Sequence, residues 1–320
     1  MKGIIPFMIV FVLLYANETK AEEHPYSYGD MMSDLQKMEN AFPNLIQISS
    51  IGKTEWGNDL PFVRIGKGKE SILLIGSHHG REWITTQFLM KLLKDYVSVY
   101  KEGGKIGTYS MELLNEVSLV IVPMLNPDGV MIQQGNAKAP SFLQKLNIWK
   151  MNYFSGDFKR WKANGEGVDL NRQYPADWEK LKKWPAWPSY KQYRGKKPIQ
   201  AKEVAALASF THQLKPLLAV SYHTSGQEVY WYYHTKKEHV ERDYTLAKQI
   251  SEMTGYELAW PAEDAIGGGF TDWFIMTYAR PSFTIEMCEL VEETNPSHAC
   301  LQNEYERNQT VPLMLIQELL

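Results

Sequence analysis

Three hundred and twenty residues carry 34 basic and 37 acidic side chains, a formal net charge of −3 that argues against a general nucleic-acid binder. A composition of 44% hydrophobic and 22% charged residues excludes a disordered or collagen-like chain. Two cysteines are too few for a disulfide scaffold or a four-thiolate zinc site, and the length fits one large α/β domain or two smaller ones.

The chain opens with Met1-Lys2, an apolar run from Gly3 to Ala16, and Asn17-Glu18-Thr19-Lys20-Ala21 before Glu22. An early positive charge, a short apolar core and a small residue at the end are the layout of a secretory signal. The run has fourteen residues, short of the roughly twenty that span a bilayer. The expected division is a signal peptide over 1–21 and one catalytic domain over 22–320. The expected location is extracytoplasmic, with no stable membrane insertion after signal removal. An uncleaved anchor or a buried N-terminal helix is the competing reading. No long segment separates the signal from the first helix, so no inhibitory pro-domain is expected. Export makes a bridge between Cys288 and Cys300 chemically possible; two buried free thiols fit the sequence equally well.

From residue 24 onward strand and helix patterns alternate. Tyr26 to Phe42 reads as an amphipathic helix. Leu45 to Ile51 and Leu60 to Ile65 read as strands joined by the turn Gly57-Asn58-Asp59. Ser71 to Gly76 and Val117 to Pro123 are short continuous apolar runs, the mark of buried strands. Trp83 to Tyr96 lies between them with helical spacing, and Asn126-Pro127-Asp128-Gly129 reads as a turn. Further on, Lys202 to Leu214, Tyr244 to Thr254, Asp272 to Tyr278 and Val311 to Leu320 read as helices, and Pro216 to Tyr222 and Pro281 to Met287 as strands. The alternation predicts an α/β fold: a single-domain mixed β-sheet with helices on both faces. Residues 135–200 are irregular and rich in Lys, Trp, Tyr and Pro, and are expected to form a wall of the active cleft.

Three strand ends carry unusual chemistry. His79 and Glu82 form an H-x-x-E pair where a strand turns into a helix, a spacing that puts imidazole and carboxylate on one side. His223, at the end of another strand, would complete two histidines and one carboxylate. That set leaves a fourth zinc position open, as a catalytic site requires. His78 competes as a ligand by proximity. Glu286, near the end of a third strand, would be a free carboxylate beside the metal and take a proton from water. Each residue alone has a plainer reading, a core histidine or a strand-end ion pair.

Together these motifs resemble the zinc carboxypeptidase family of metallopeptidases. The resemblance rests on His79-Gly80-Arg81-Glu82-Trp83, Asn126 to Gly129, Gly167-Val168-Asp169-Leu170-Asn171-Arg172, Ser221-Tyr222-His223-Thr224 and Phe283-Thr284-Ile285-Glu286, in the family's order over about residues 24–320. It implies one Zn2+ per chain on His79, Glu82 and His223, with Glu286 as general base and Asp169 holding the outer nitrogen of His79. Asn171 and Arg172 would bind a free substrate carboxylate, and Thr271 would line the specificity pocket. The cation that stabilises the oxyanion would be Lys162, with Arg160 the alternative. The sequence departs from the family at the mobile tyrosine, where ungapped counting places Asp264.

Trp161 to Asn164, Asn171 to Pro175 and Ser221 to Gly226 resemble the bacterial branch that contains γ-D-glutamyl-L-diamino acid endopeptidases. The substrate implied is a peptidoglycan-derived peptide. Thr271, small and polar, favours neither a large aromatic nor a strongly basic side chain. The pairs Lys182-Lys183 and Lys196-Lys197 could hold an acidic wall fragment but read first as a solvated face. An ordinary carboxypeptidase is the alternative within enzymes; a non-catalytic peptide- or wall-binding protein on the same scaffold would have lost ligands or base, and none is missing.

Overall fold

The computed structural model describes residues 25–182, 184–260 and 267–320. The expected signal segment and Asp264 lie outside them. Among the described residues ten strands form: β1 (Ile46–Lys53), β2 (Asp59–Ile65), β3 (Glu70–Ile75), β4 (Lys105–Ile106), β5 (Tyr109–Ser110), β6 (Val117–Val122), β7 (Ala219–Thr224), β8 (Glu228–Tyr230), β9 (Glu257–Leu258) and β10 (Ser282–Met287). Eight of them make one mixed sheet in the order β1-β2-β6-β3-β7-β10-β8-β9, and β4 with β5 makes a small ribbon. The helices are α1 (Tyr28–Ala41), α2 (Ile84–Lys101), α3 (Leu113–Glu116), α4 (Pro127–Gln133), α5 (Phe142–Met151), α6 (Lys202–Leu214), α7 (Lys237–Thr254), α8 (Phe270–Tyr278), α9 (Cys300–Asn308) and α10 (Val311–Glu318).

The continuous apolar runs are buried on both faces because their residues alternate between two cores. Ile72 and Leu74 of β3, with Leu119 and Ile121 of β6, pack in a core that includes Phe88, Leu92 and Leu315 from helices α2 and α10. Leu73, Ile75, Val120 and Val122 enter the opposite core, with Val204 and Leu207 of α6 and Phe270 and Phe274 of α8. The fold is the mixed sheet with two helical layers that the alternation predicts. Strands β3, β7 and β10 run parallel side by side, so their carboxyl ends open on one edge, and Glu286 pairs in register with His223. That edge is where open α/β sheets place ligands.

Several boundaries differ from the sequence reading. Asn126 to Gly129 is not a free turn but the start of α4: Asn126 is the N-cap, its Oδ1 accepting the Gly129 N–H at 2.9 Å, and Pro127 occupies the first turn. Helix α7 begins at Lys237, well before Tyr244, because its first turns are polar and exposed. The helix α9 and the short strands β8 and β9 carry too little apolar periodicity to be read in advance. Cys288 and Cys300 are bridged, tying the end of β10 to the start of α9.

The loop that carries Lys162 and Asp169 is anchored from below. The Asn164 side chain donates to Glu203 Oε2 at 3.2 Å, and its own Oδ1 accepts the Glu166 and Val168 N–H groups. Glu203 is fully buried in the first turn of α6. Burial, with the charge of Asp128 adding to it, pushes its carboxyl up to about 8. The folded protein therefore keeps a proton that the unfolded chain releases near pH 4.5. Between that pH and about 8 the unfolded state binds fewer protons, so stability falls as pH rises. Glu203→Gln removes this term: its melting temperature relative to wild type is expected to climb from pH 5 to pH 8. A difference that stays constant across that range contradicts the assignment.

Candidate metal centre and cleft

Three segments meet beneath the site through very close backbone approach. A Cβ on Gly80 would lie 2.4 Å from the Gly129 carbonyl oxygen, and one on Gly129 would lie 2.3 Å from that of Ala163. Only glycine fits at either position. The Gly80 N–H donates to the Lys162 carbonyl at 3.0 Å, and Asn126 Nδ2 donates to the carbonyls of His78 and Ala163, each at 3.1 Å. This lattice fixes His79, just after β3, against the loop bearing Lys162 and Asp169.

His79, Glu82 and His223 converge, all buried, with one donor atom from each within 4.8 Å of the others. Glu82 Oε1 lies 2.8 Å from His79 Nδ1 and Oε2 lies 2.9 Å from His223 Nδ1; the two Nδ1 atoms are 3.2 Å apart. The outer nitrogens are held elsewhere. His79 Nε2 faces Asp169 Oδ1 at 3.2 Å, and His223 Nε2 faces Ser221 Oγ at 3.1 Å.

Burial alone would raise the Asp169 carboxyl, but Lys162 and His79 outweigh it and hold it well below the usual range. An ionised carboxylate only accepts, which assigns the proton of His79 to Nε2 and leaves Nδ1 as the lone pair. Burial, the leading cause, lowers the His223 imidazole below its ordinary value, which favours its neutral form. The same accounting runs through His78. Ser221 Oγ lies 3.1 Å from His78 Nδ1, and His78 Nε2 lies 3.3 Å from Tyr174 Oη. A consistent chain is His223 Nε2–H to Ser221, Ser221 O–H to His78 Nδ1, and His78 Nε2–H to Tyr174. His78 therefore turns both nitrogens away from the cluster, toward Ser221 and Tyr174.

Two lone-pair nitrogens and a carboxylate thus face one point in a buried space. Acceptors facing acceptors repel unless a cation lies between them, and two imidazoles with one carboxylate suit zinc in an open coordination sphere.

A cleft of about 230 Å³ opens beside the cluster, lined by His79, Lys162, Asn171, Arg172, Thr271 and Glu286 together with Tyr230 and Asp272. Lys162 Nζ approaches Asp169 Oδ2 at 3.8 Å. Arg160 is turned away: it donates to Asn152 Oδ1 and the Asn152 carbonyl, with its guanidinium 4.1 Å from the centre of the Tyr190 ring. Asn171 Oδ1 accepts the Phe270 N–H at 2.9 Å, and Arg172 Nη1 donates to the Asn171 carbonyl at 2.9 Å, which leaves its other guanidinium donors without a partner among the described residues. Thr271 and Thr284 share a hydroxyl–hydroxyl hydrogen bond of 2.7 Å. The exposed Lys196 and Lys197 do not line this cleft.

Glu286 is half-buried. Burial and the charges of Glu82 and Glu228 push its carboxyl well above the usual range, with Lys162 and Arg81 pulling the other way. Tyr230, which lines the cleft from β8, and Glu228, which lines an adjoining pocket with Tyr230 and Glu286, are residues the sequence reading missed; β8 is only three residues long, too short to show alternation. Asp272, on the first turn of α8, is pushed up to about 6 by burial while its carboxylate accepts the Gly267 N–H at 2.8 Å.

This fold and donor set are those of a metal-dependent hydrolase of the carboxypeptidase type. Residues 31–294 match the zinc carboxypeptidase family, and the chain belongs to it; it is a zinc metallopeptidase. It is 36% identical over 277 residues to gamma-D-glutamyl-L-diamino acid endopeptidase 1 of Lysinibacillus sphaericus, covering 85% of this chain and 67% of that protein. It is 27% identical over 223 residues to metallocarboxypeptidase A of Trichophyton rubrum, covering 67% of this chain and 48% of that one. Its backbone superposes on bovine thrombin-activatable fibrinolysis inhibitor with a TM-score of 0.71 at 17% identity, covering 91% of this chain and 96% of the other.

If these three side chains hold the metal, His223→Ala should abolish stoichiometric zinc binding. Asp169→Ala should weaken it by about 10–100-fold through loss of the outer hydrogen bond to His79. Competition against a chromophoric chelator measures both, and wild-type affinity in His223→Ala would remove His223 from the ligand set.

Proposed function

We propose that this zinc metallopeptidase is exported and hydrolyses the bond between the γ-carboxyl of D-glutamate and a diamino acid in peptidoglycan-derived peptides. The observation that carries the substrate class is the 36% identity to the Lysinibacillus sphaericus endopeptidase over 85% of the chain. The layout of residues 1–21 supports export.

Zinc held by His79, Glu82 and His223 supplies a Lewis acid that polarises a carbonyl and acidifies water. The remaining work falls to the protein. Glu286, which lines the cleft beside the cluster, takes a proton from the attacking water and delivers it to the departing amine. Lys162 sets a fixed positive charge beside the reacting carbonyl, where negative charge develops. Arg172 and Asn171 bind a free carboxylate of the diamino acid; a guanidinium fork meets a carboxylate with two hydrogen bonds. The hydroxyls of Thr271 and Thr284 give the cleft wall small polar groups, suited to a charged diamino side chain rather than an apolar one. The likeness to a fungal metallocarboxypeptidase favours a second reading, release of C-terminal amino acids from ordinary peptides.

Incubating the zinc-loaded protein with defined muropeptides separates the two readings by mass spectrometry. Cleavage between D-glutamate and the diamino acid is expected, whereas release of single C-terminal amino acids alone selects the second. Glu286→Gln should retain zinc and lose at least about 10²-fold in kcat, the scale of a general base. Near-normal turnover in that variant would refute the role.

A further inference from the structure

Helix α5 has two apolar faces. One points inward: Ile148 and Met151 are buried in a small core with Trp161 and Tyr190. At 100° per residue the other lies on the opposite side of the helix. There Phe142, Leu143, Leu146 and Trp149 are 73%, 70%, 44% and 45% exposed. Tyr153 and Phe154 continue the patch at 63% and 60%, and the rings of Trp149 and Phe154 meet edge to face at 4.8 Å. Both Tyr153 and Phe154 sit at positive φ, 53° and 61°, a conformation costly for bulky side chains. The chain accepts that conformation and still leaves both rings in water. Single exposed apolar residues are ordinary, but six within thirteen positions on and just beyond one helix mark an interaction site.

The charged rim of the patch is mainly basic. Lys138, Lys145, Lys150 and Lys159 are exposed, and none pairs with a carboxylate among the described residues. Asp157 is the one acidic residue between positions 135 and 160. An apolar stripe bearing tryptophan and phenylalanine, flanked by lysines, has the chemistry of a helix that lies in a membrane interface. Other occupants fit less well. Two-fold pairing with a second copy would set lysines against lysines. Sugar rings would stack on the aromatics but find no such partner in Leu143 and Leu146.

We infer that this face docks the enzyme on an anionic lipid surface. The patch is linked to the loop that carries Lys162: Tyr153 packs edge to face on Tyr190 at 5.7 Å, and the Tyr190 carbonyl accepts the Lys162 N–H at 2.9 Å. Docking through α5 would hold the cleft near that surface. The inference does not depend on which peptide bond is cut.

Flotation of the zinc-loaded enzyme with vesicles tests it. Binding is expected to vesicles of phosphatidylglycerol and phosphatidylcholine in equal parts, not to phosphatidylcholine alone, and should weaken as salt is raised. Leu146→Ser with Trp149→Ser, and separately Lys145→Glu with Lys150→Glu, should each lower binding by more than about tenfold and leave hydrolysis of a soluble peptide unchanged. Failure of the wild-type enzyme to bind the anionic vesicles overturns the proposal, as does equal binding to neutral ones. Binding to purified wall sacculi without vesicle binding would assign the face to glycan, and a dimer dissociated by Leu146→Ser would assign it to a second copy; either result overturns it.

Discussion

The site rests on a repulsion. His79 and His223 have their outer nitrogens engaged by Asp169 and Ser221, so their inner lone pairs point at each other across 3.2 Å, with both oxygens of Glu82 beside them. A buried group of acceptors with no proton to share is unfavourable without a cation. The surrounding protein is arranged to hold that geometry. Asp169 stays ionised because Lys162 and His79 lie beside it, and Ser221 passes the hydrogen-bond order on to His78 and Tyr174.

That geometry depends in turn on backbone packing. His79 and the loop of Lys162 and Asp169 are far apart in sequence, joined by the glycine contacts at Gly80 and Gly129 and by the Asn126 side chain. His223 and Glu286 need no such device, because β7 and β10 are neighbouring parallel strands in register. The buried Glu203 holds Asn164 and through it the loop of Asp169. The candidate metal donors are thus set by the sheet on one side and by a tightly anchored loop on the other.

Much of this was legible in the sequence because its signals are local. The apolar runs of β3 and β6 show burial on both faces, and the H-x-x-E spacing places His79 and Glu82 together. What was not legible depends on tertiary partners. The pattern around Asn126 looks like a turn until its cap to Gly129 and the continuing helix are seen. Nothing in the sequence separates His78 from His79 except spacing; the distinction comes from Ser221 and Tyr174, which are 143 and 96 residues away. Lys162 and Arg160 likewise differ only through tertiary partners: Asn152 and Tyr190 engage the arginine, whereas Lys162 lines the cleft. The bridge between Cys288 and Cys300 required the end of β10 and the start of α9 to meet.

The most direct test of the account is an anomalous diffraction map at the zinc edge from crystals of the metal-loaded protein. One peak per chain is expected, bonded to Nδ1 of His79, Nδ1 of His223 and the Glu82 carboxylate, with Asp169 still on the far side of His79. A peak elsewhere, a peak bonded to His78 in place of His79, or no peak at stoichiometric loading would contradict it.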